Sequence, residues 1–199
     1  MKKINSKRKK VFLPKQIHSN KFYLIPKKIS NKRIKCDAII TDQKKIPIGV
    51  LTADCAPIII FDPRRMVVSM VHAGWKGAFK EIVKKVINFF KKKGSNIKDL
   101  IVVIGPCISV KNYEIKKDFL KKFLKEDKKN KIYFKFSHNK IFFDLRKYIS
   151  FQIKSFGINK LEIINKDTFS GKNSYFSARR SLIKKENDYG RNISLIMIN

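Results

Sequence analysis

Ile48-Gly49-Val50-Leu51-Thr52-Ala53-Asp54-Cys55-Ala56-Pro57-Ile58-Ile59-Ile60-Phe61-Asp62-Pro63, followed by Arg64-Arg65 and then Met66-Val67-Val68-Ser69-Met70-Val71-His72-Ala73-Gly74-Trp75-Lys76-Gly77, is the stretch on which the fold turns. Two β-branched runs, 57–61 and 66–71, flank Asp62-Pro63-Arg64-Arg65, which is turn chemistry, so the pair reads as a hairpin of buried strands. Cys55 precedes the first strand and His72 ends the second, so an antiparallel hairpin brings both to one rim. Beyond His72 the glycine-rich Ala73–Gly77 segment leads into a helical pattern. Free amides at that helix start would make the corner an anion site.

Working outward, Val11–Asn20 and the apolar run 22–25 place His18 in a short loop between extended pieces, and 36–41 and 48–53 read as further strands. Downstream, Phe79, Ile82, Val83, Val86, Ile87 and Phe90 recur at helical spacing, with Gly94 as a stop, which predicts one helix over 78–92. A strand is expected at 100–104, a helix at 113–124, a charged loop at 126–131 and a hairpin joining 132–136 to 141–143. Asp144 caps a helix with Leu145, Tyr148, Ile149, Gln152, Ile153 and Phe156 on one face, closed by Gly157. Strands at 161–164 and 193–198 are separated by a polar loop containing Tyr175-Phe176-Ser177-Ala178-Arg179-Arg180. The fold class expected is α+β, a single domain of mixed β-sheets with β-hairpins, covered by helices.

A chain of 199 residues buries a core without disulfides, and three widely spaced cysteines suit a reducing cytosol, so a cytoplasmic location is expected. No apolar run approaches the roughly 18 residues of a membrane span. The formal charge of +32 would favour phosphate, but it is lysine scattered through every segment beside much Ile and Asn. No nucleic-acid-binding signature accompanies it, and no specific nucleic-acid partner is expected.

A catalytic zinc takes three protein ligands from His, Cys and carboxylate and keeps one position open. Cys55 and His72 share a rim, and His18 is the best third donor; His138, in a hairpin turn, reads as exposed. Residue chemistry alone leaves three readings open: this metal site, a Cys55–His72 nucleophile pair, or buried filler with a hydrogen-bonded strand end. Lys76, Arg179 and Arg180 are candidate substrate anion contacts, or are solvated or paired with carboxylates. Trp75 would stack a base or plug the fold. Asp54 and Asp37 are candidates for orienting a ligand, Cys107 is a spectator, and Cys36 is buried filler.

Gln16-Ile17-His18, Thr52-Ala53-Asp54-Cys55-Ala56-Pro57, Val71-His72-Ala73-Gly74-Trp75-Lys76-Gly77, Ile104-Gly105-Pro106-Cys107 and Tyr175-Phe176-Ser177-Ala178-Arg179-Arg180, in this order, resemble the YfiH-type laccase-domain family, described both as polyphenol oxidases and as purine nucleoside phosphorylases. The resemblance implies a domain over residues 11–199, after a basic lead-in at 1–10, lacking the family's N-terminal portion with its Ser-Thr-Arg-like segment. It implies a zinc ion on His18, Cys55 and His72, with copper able to enter in vitro. It further implies phosphorolysis of adenosine, inosine, guanosine or methylthioadenosine, with adenosine deamination as a second activity, so that the partners are a purine nucleoside and phosphate. Lysine at position 76 replaces the family's usual arginine, which keeps the charge and loses the bidentate fork. Against this stand a cysteine hydrolase, a copper polyphenol oxidoreductase and a catalytically degenerate metal-binding protein.

Overall fold

The computed structural model describes residues 11–27, 34–187 and 189–199; the basic lead-in at 1–10 lies outside the described residues. In chain order the strands are β1 (Phe22–Leu24), β2 (Ala38–Thr41), β3 (Ile48–Thr52), β4 (Ala56–Asp62), β5 (Val67–Ala73), β6 (Ile101–Ile104), β7 (Glu114–Ile115), β8 (Phe134–Ser137), β9 (Lys140–Phe143), β10 (Lys160–Ile163) and β11 (Asn192–Ile196). The helices are α1 (Trp75–Phe79), α2 (Ile82–Lys92), α3 (Lys117–Glu126), α4 (Leu145–Lys154) and α5 (Ala178–Lys184).

The hairpin β4–β5 lies at the centre of a six-stranded mixed sheet of order β1-β2-β5-β4-β6-β10, in which the two outer pairs are parallel and the inner pairings antiparallel. β3 pairs with β11 in a two-stranded sheet, and β7, β9 and β8 form a third. This is an α+β fold with mixed sheets, as the sequence predicts.

Side-chain alternation explains why the central sheet is apolar on both faces. Ala56, Ile58 and Ile60 of β4 and Val71 and Ala73 of β5 face a core shared with α2, α4 and the three-stranded sheet. Met70 and Val68 of β5, with Ile39 of β2, face the other way, onto Ile48 and Val50 of β3. Trimming Ile58 or Ile60 to alanine would cost about 2–5 kcal/mol, which is why the rim this hairpin carries is held rigidly.

Four local expectations are corrected. The helix expected over 78–92 is two helices, because the chain breaks at Lys80–Glu81, where Glu81 takes a left-handed φ of 60°; Ile82, Val83, Val86, Ile87 and Phe90 still form the buried stripe. The helix expected at 113–124 begins only at Lys117, and Glu114–Ile115 instead pairs with β9. The charged loop at 126–131 is a 3-10 turn over Lys128–Tyr133, capped by Asp127. Residues 178–184, read as polar loop, are α5, started by Ser177 Oγ accepting from the Arg180 amide.

Candidate metal centre

The register of the central hairpin sets Pro57 opposite His72 and Ala56 opposite Ala73, so Cys55 and His72 meet at one end of the sheet. His18 comes from the loop before β1, and its ring packs edge-on against that of His72 with centroids 4.8 Å apart. One ligand atom from each of His18, Cys55 and His72 lies within 4.8 Å of the others. Burial is graded: His72 is 3% exposed, Cys55 half-buried and His18 exposed, so the cluster is open on the His18 side.

Gln16 explains how the loop reaches the rim. Its side-chain amide donates to the Leu51 carbonyl at 2.7 Å and its carbonyl accepts from the Leu51 amide at 2.8 Å, copying a strand partner and fixing His18 two residues later. His18 itself takes a φ of 56°, a left-handed conformation that an ordinary side chain adopts only when its surroundings impose it.

What imposes it is Asp37. This carboxylate, 0% exposed, accepts from the backbone amides of His18 (3.0 Å) and Ser19 (2.6 Å) and from the Ser19 hydroxyl (2.7 Å). The same group accepts from His72 Nδ1 at 2.9 Å, which leaves Nε2 as the nitrogen free for a ligand bond. Burial opposes ionisation of Asp37, but the hydrogen bonds from His72 and Ser19 prevail and hold its carboxyl at about 2. For His72 burial disfavours charge, yet its bonds to Asp37 and Cys55 raise it to about 9. Burial pushes the Cys55 thiol up, and hydrogen bonds to His18 and His72 bring it down to about 7.

Gly74 completes the cluster by absence. A Cβ there would sit 2.7 Å from Cys55 Sγ and 3.2 Å from His18 Cδ2, so any side chain would displace a donor. Two imidazoles, a thiolate and a carboxylate behind one imidazole form a donor set suited to zinc or another thiophilic ion.

Asp54 turns away from the cluster. At φ 83° it accepts from the Thr168 hydroxyl at 2.7 Å and from the Arg179 amide at 2.7 Å, tying the start of α5 to the rim. Arg179 donates through Nη1 to the Glu114 carbonyl at 2.8 Å and lies over the Tyr113 ring. Arg180 donates to the carbonyls of Thr168, Phe169 and Tyr175, so its guanidinium braces the preceding loop. Lys76 is exposed, with its ammonium 5.7 Å from the centre of the Trp75 ring. Trp75 packs on Phe119 at 4.8 Å. Cys107 is buried and accepts from Arg146 Nε at 3.2 Å; Cys36 is buried beside Asp37, and His138 is exposed in the β8–β9 turn. The residues that sequence reasoning left unassigned are Tyr113 and Thr168; neither lies in a recognisable motif, because each reaches the rim only through tertiary folding.

The family model described as "Multi-copper polyphenol oxidoreductase laccase" matches residues 1–199. A protein of Rickettsia conorii named purine nucleoside phosphorylase is 34% identical over 161 residues, covering 80% of this chain and 66% of that protein, just under two thirds of its length. The purine nucleoside phosphorylase of Aquifex aeolicus is 33% identical, over 81% of this chain and 72% of its own. Among solved structures, YfiH of Bacillus licheniformis superposes with a TM-score of 0.82 at 24% identity, over 95% of this chain and 74% of that one. YlmD of Geobacillus stearothermophilus gives 0.83 at 19% identity, over 94% and 72%. These two likenesses establish the fold.

Proposed function

The chain belongs to the multi-copper polyphenol oxidoreductase laccase family, and from that premise we propose that it is a zinc-dependent purine nucleoside phosphorylase. Its substrates in this reading are adenosine, inosine, guanosine or methylthioadenosine, cleaved with phosphate to free base and ribose 1-phosphate, with adenosine deamination as a second activity. The observation that carries the reading is the convergence of His18, Cys55 and His72 within 4.8 Å; the names of the Rickettsia and Aquifex relatives support the reaction class. A multicopper centre needs more ligands than this three-donor set, although copper would outcompete zinc in vitro. Free thiols at all three cysteines favour a reducing, cytoplasmic setting.

His18, Cys55 and His72 would hold the ion, which when bound supplies a Lewis acid to an oxygen ligand. The protein's own contribution is positional. Asp37 holds His72 through Nδ1–H and the His18 loop through backbone amides, so one carboxylate sets two ligands. Gly74 leaves room for Cys55 Sγ, and Asp54 fixes the backbone that presents Arg179 beside Tyr113. Arg179 and Lys76 would supply cationic contacts to substrate oxygens, and Arg180 would brace the loop that leads into α5 and Arg179.

Protein prepared with added zinc is expected to hold about one ion per chain and to release adenine and ribose 1-phosphate from adenosine and phosphate, with both lost in Cys55→Ala. Inosine as sole product would move the assignment to deamination. Zinc without product would leave a metal-binding fold that lacks this chemistry. A second reading, a hydrolase with Cys55 as nucleophile, is favoured by one observation, the thiol held at about 7. Inactivation by alkylation together with resistance to a chelator would select it.

A further inference from the structure

We propose that the groove between α3 and the β8–β9 hairpin is a docking site for an acidic amphipathic helix of a partner protein. None of its lining residues belongs to the His18–Cys55–His72 cluster, and the proposal holds whether or not the chain is a phosphorylase.

The groove has a volume of about 940 Å³, and sheet geometry explains why it is there. Phe134 pairs with Phe143 and Phe136 with Ile141, so all four share one face, and Ile141 pairs in turn with Ile115 of β7. Phe123 of α3 covers the first pair, its ring 5.7 Å from that of Phe134 and 4.9 Å from that of Phe143. The second row lies beyond that cover. Ile115, Ile141 and Phe136 line the groove together with Leu120, one turn before Phe123, and Phe136 is 54% exposed. The sheet is therefore longer than the helix packed on it. Three strands at ordinary spacing make the uncovered row about 10 Å long, the rise of about seven helical residues, so it accepts apolar anchors at i, i+3 or i+4, and i+7.

Charge selects the partner. Lys140 is paired with Glu114 at 3.0 Å, but Lys116, Lys117 and Lys121, all exposed and all lining the groove, have no carboxylate partner among the described residues. Two of them open α3, the end at which a helix dipole disfavours cations. Glutamates flanking an apolar stripe would answer both the lysines and the floor. A second copy of a chain carrying +32 would meet repulsion instead. Single-stranded nucleic acid would answer the lysines, but it binds through several stacking rings and arginines, and this groove offers the exposed ring of Phe136 and no arginine.

The test uses the full chain and a fluorescein-labelled stapled helical peptide with leucines at i, i+4 and i+7 and glutamates elsewhere, read by anisotropy at physiological ionic strength. A peptide of the same composition with its leucines spread round the helix and a single-stranded oligothymidine are the competitors. The patterned peptide is expected to bind tightest and to slow amide exchange in residues 114–121 and 134–141. Phe136→Ser, at an exposed position, and the double change Lys117→Glu with Lys121→Glu are each expected to weaken it about tenfold or more, with circular dichroism unchanged. Equal binding of the spread peptide, or affinity unmoved in Phe136→Ser, would reduce the groove to a patch of charge and overturn the proposal. Oligothymidine bound more tightly than the peptide and lost in Phe136→Ser would give the groove to nucleic acid and overturn it too, as would no binding of any probe.

Discussion

Asp37 and Asp54 are both carboxylates beside the His18–Cys55–His72 cluster, yet they serve different halves of the site. Asp37 gathers amides and one imidazole from the N-terminal loop and from β5, so its charge works on the proposed ligands. Asp54 is next to Cys55 in sequence but looks the other way, and its two oxygens are committed to Thr168 and Arg179 from the C-terminal segment. Proximity in sequence to a candidate ligand is thus a poor guide to which carboxylate bonds beside it. What decides is backbone conformation: at φ 83° the chain turns over at Asp54, so successive side chains emerge on opposite sides of the rim.

The largest expected effect breaks the Asp37 half. Asp37→Asn keeps the size of the side chain but replaces the ionised acceptor behind His72 and leaves a neutral group to hold three amide and hydroxyl donors. Zinc affinity is expected to fall about 100-fold, measured by competition with a chromophoric chelator, and the metal-free protein to lose about 3 kcal/mol by denaturant unfolding. Affinity unchanged within threefold would remove Asp37 from the ligand set's support.

The second effect is on pH, and its sign differs between the two states of the protein. In the metal-free chain Asp37 is lowered from 3.8 to about 2, so its contribution to stability is present above pH 4 and is lost as pH falls to about 2. His72 is raised from 6.5 to about 9, so its contribution is full below pH 6.5 and is lost as pH rises to about 9. Metal binding runs the other way, since the ion must displace that proton and needs the Cys55 thiolate. Zinc affinity should therefore rise about tenfold per pH unit between about 7 and 9, where His72 alone still gives up a proton, while metal-free stability falls. Parallel trends in the two would contradict the Asp37–His72 pair as drawn.

Gly74 tests both halves at once, since it faces Cys55 and His18 and lines the cavity it shares with Asp54, Tyr113 and Arg179. Gly74→Ala puts a methyl 2.7 Å from Sγ, and either the thiol or the strand must move. About a tenfold loss of zinc affinity is expected, with far-ultraviolet circular dichroism unchanged. Retained affinity would mean that the rim yields more readily than its buried strands suggest.

The sequence made one of these halves far more legible than the other. Branched runs around Asp62-Pro63 sufficed to place Cys55 and His72 on one rim, because a hairpin's register is a local property. The cap at Asp144 and the stop at Gly157 were equally local, and the Asp144 carboxylate does accept from the Lys147 amide. The break at Glu81 carries no glycine or proline to announce it. The pairing of β3 with β11 joins residues such as Thr52 and Asn192, a closure over most of the chain that periodicity cannot see. α5 was hidden for a related reason. Ser177 is a good cap, but the helix that follows is short and presents Leu182 and Ile183 to solvent, so no buried stripe marks it. Of the two carboxylates sequence offered for orienting a ligand, only coordinates separate Asp37 from Asp54.

The smallest expected effect on the metal comes from the matching change in the other half, Asp54→Asn. Asparagine tolerates the left-handed conformation at this position, so the turn that carries Cys55 survives. It offers one acceptor oxygen where aspartate offers two, so either the buried Thr168 hydroxyl or the Arg179 amide loses its partner, at about 1–3 kcal/mol. The start of α5 loosens and the Arg179 guanidinium over Tyr113 loses its backbone anchor. Amide hydrogen exchange should accelerate in 178–184 and the adenosine KM rise about tenfold, while zinc affinity stays within about threefold because no ligand bonds to Asp54. A loss of zinc comparable to that of Asp37→Asn would mean that the two halves are mechanically one, and that Cys55 is held from the α5 side as firmly as from the sheet.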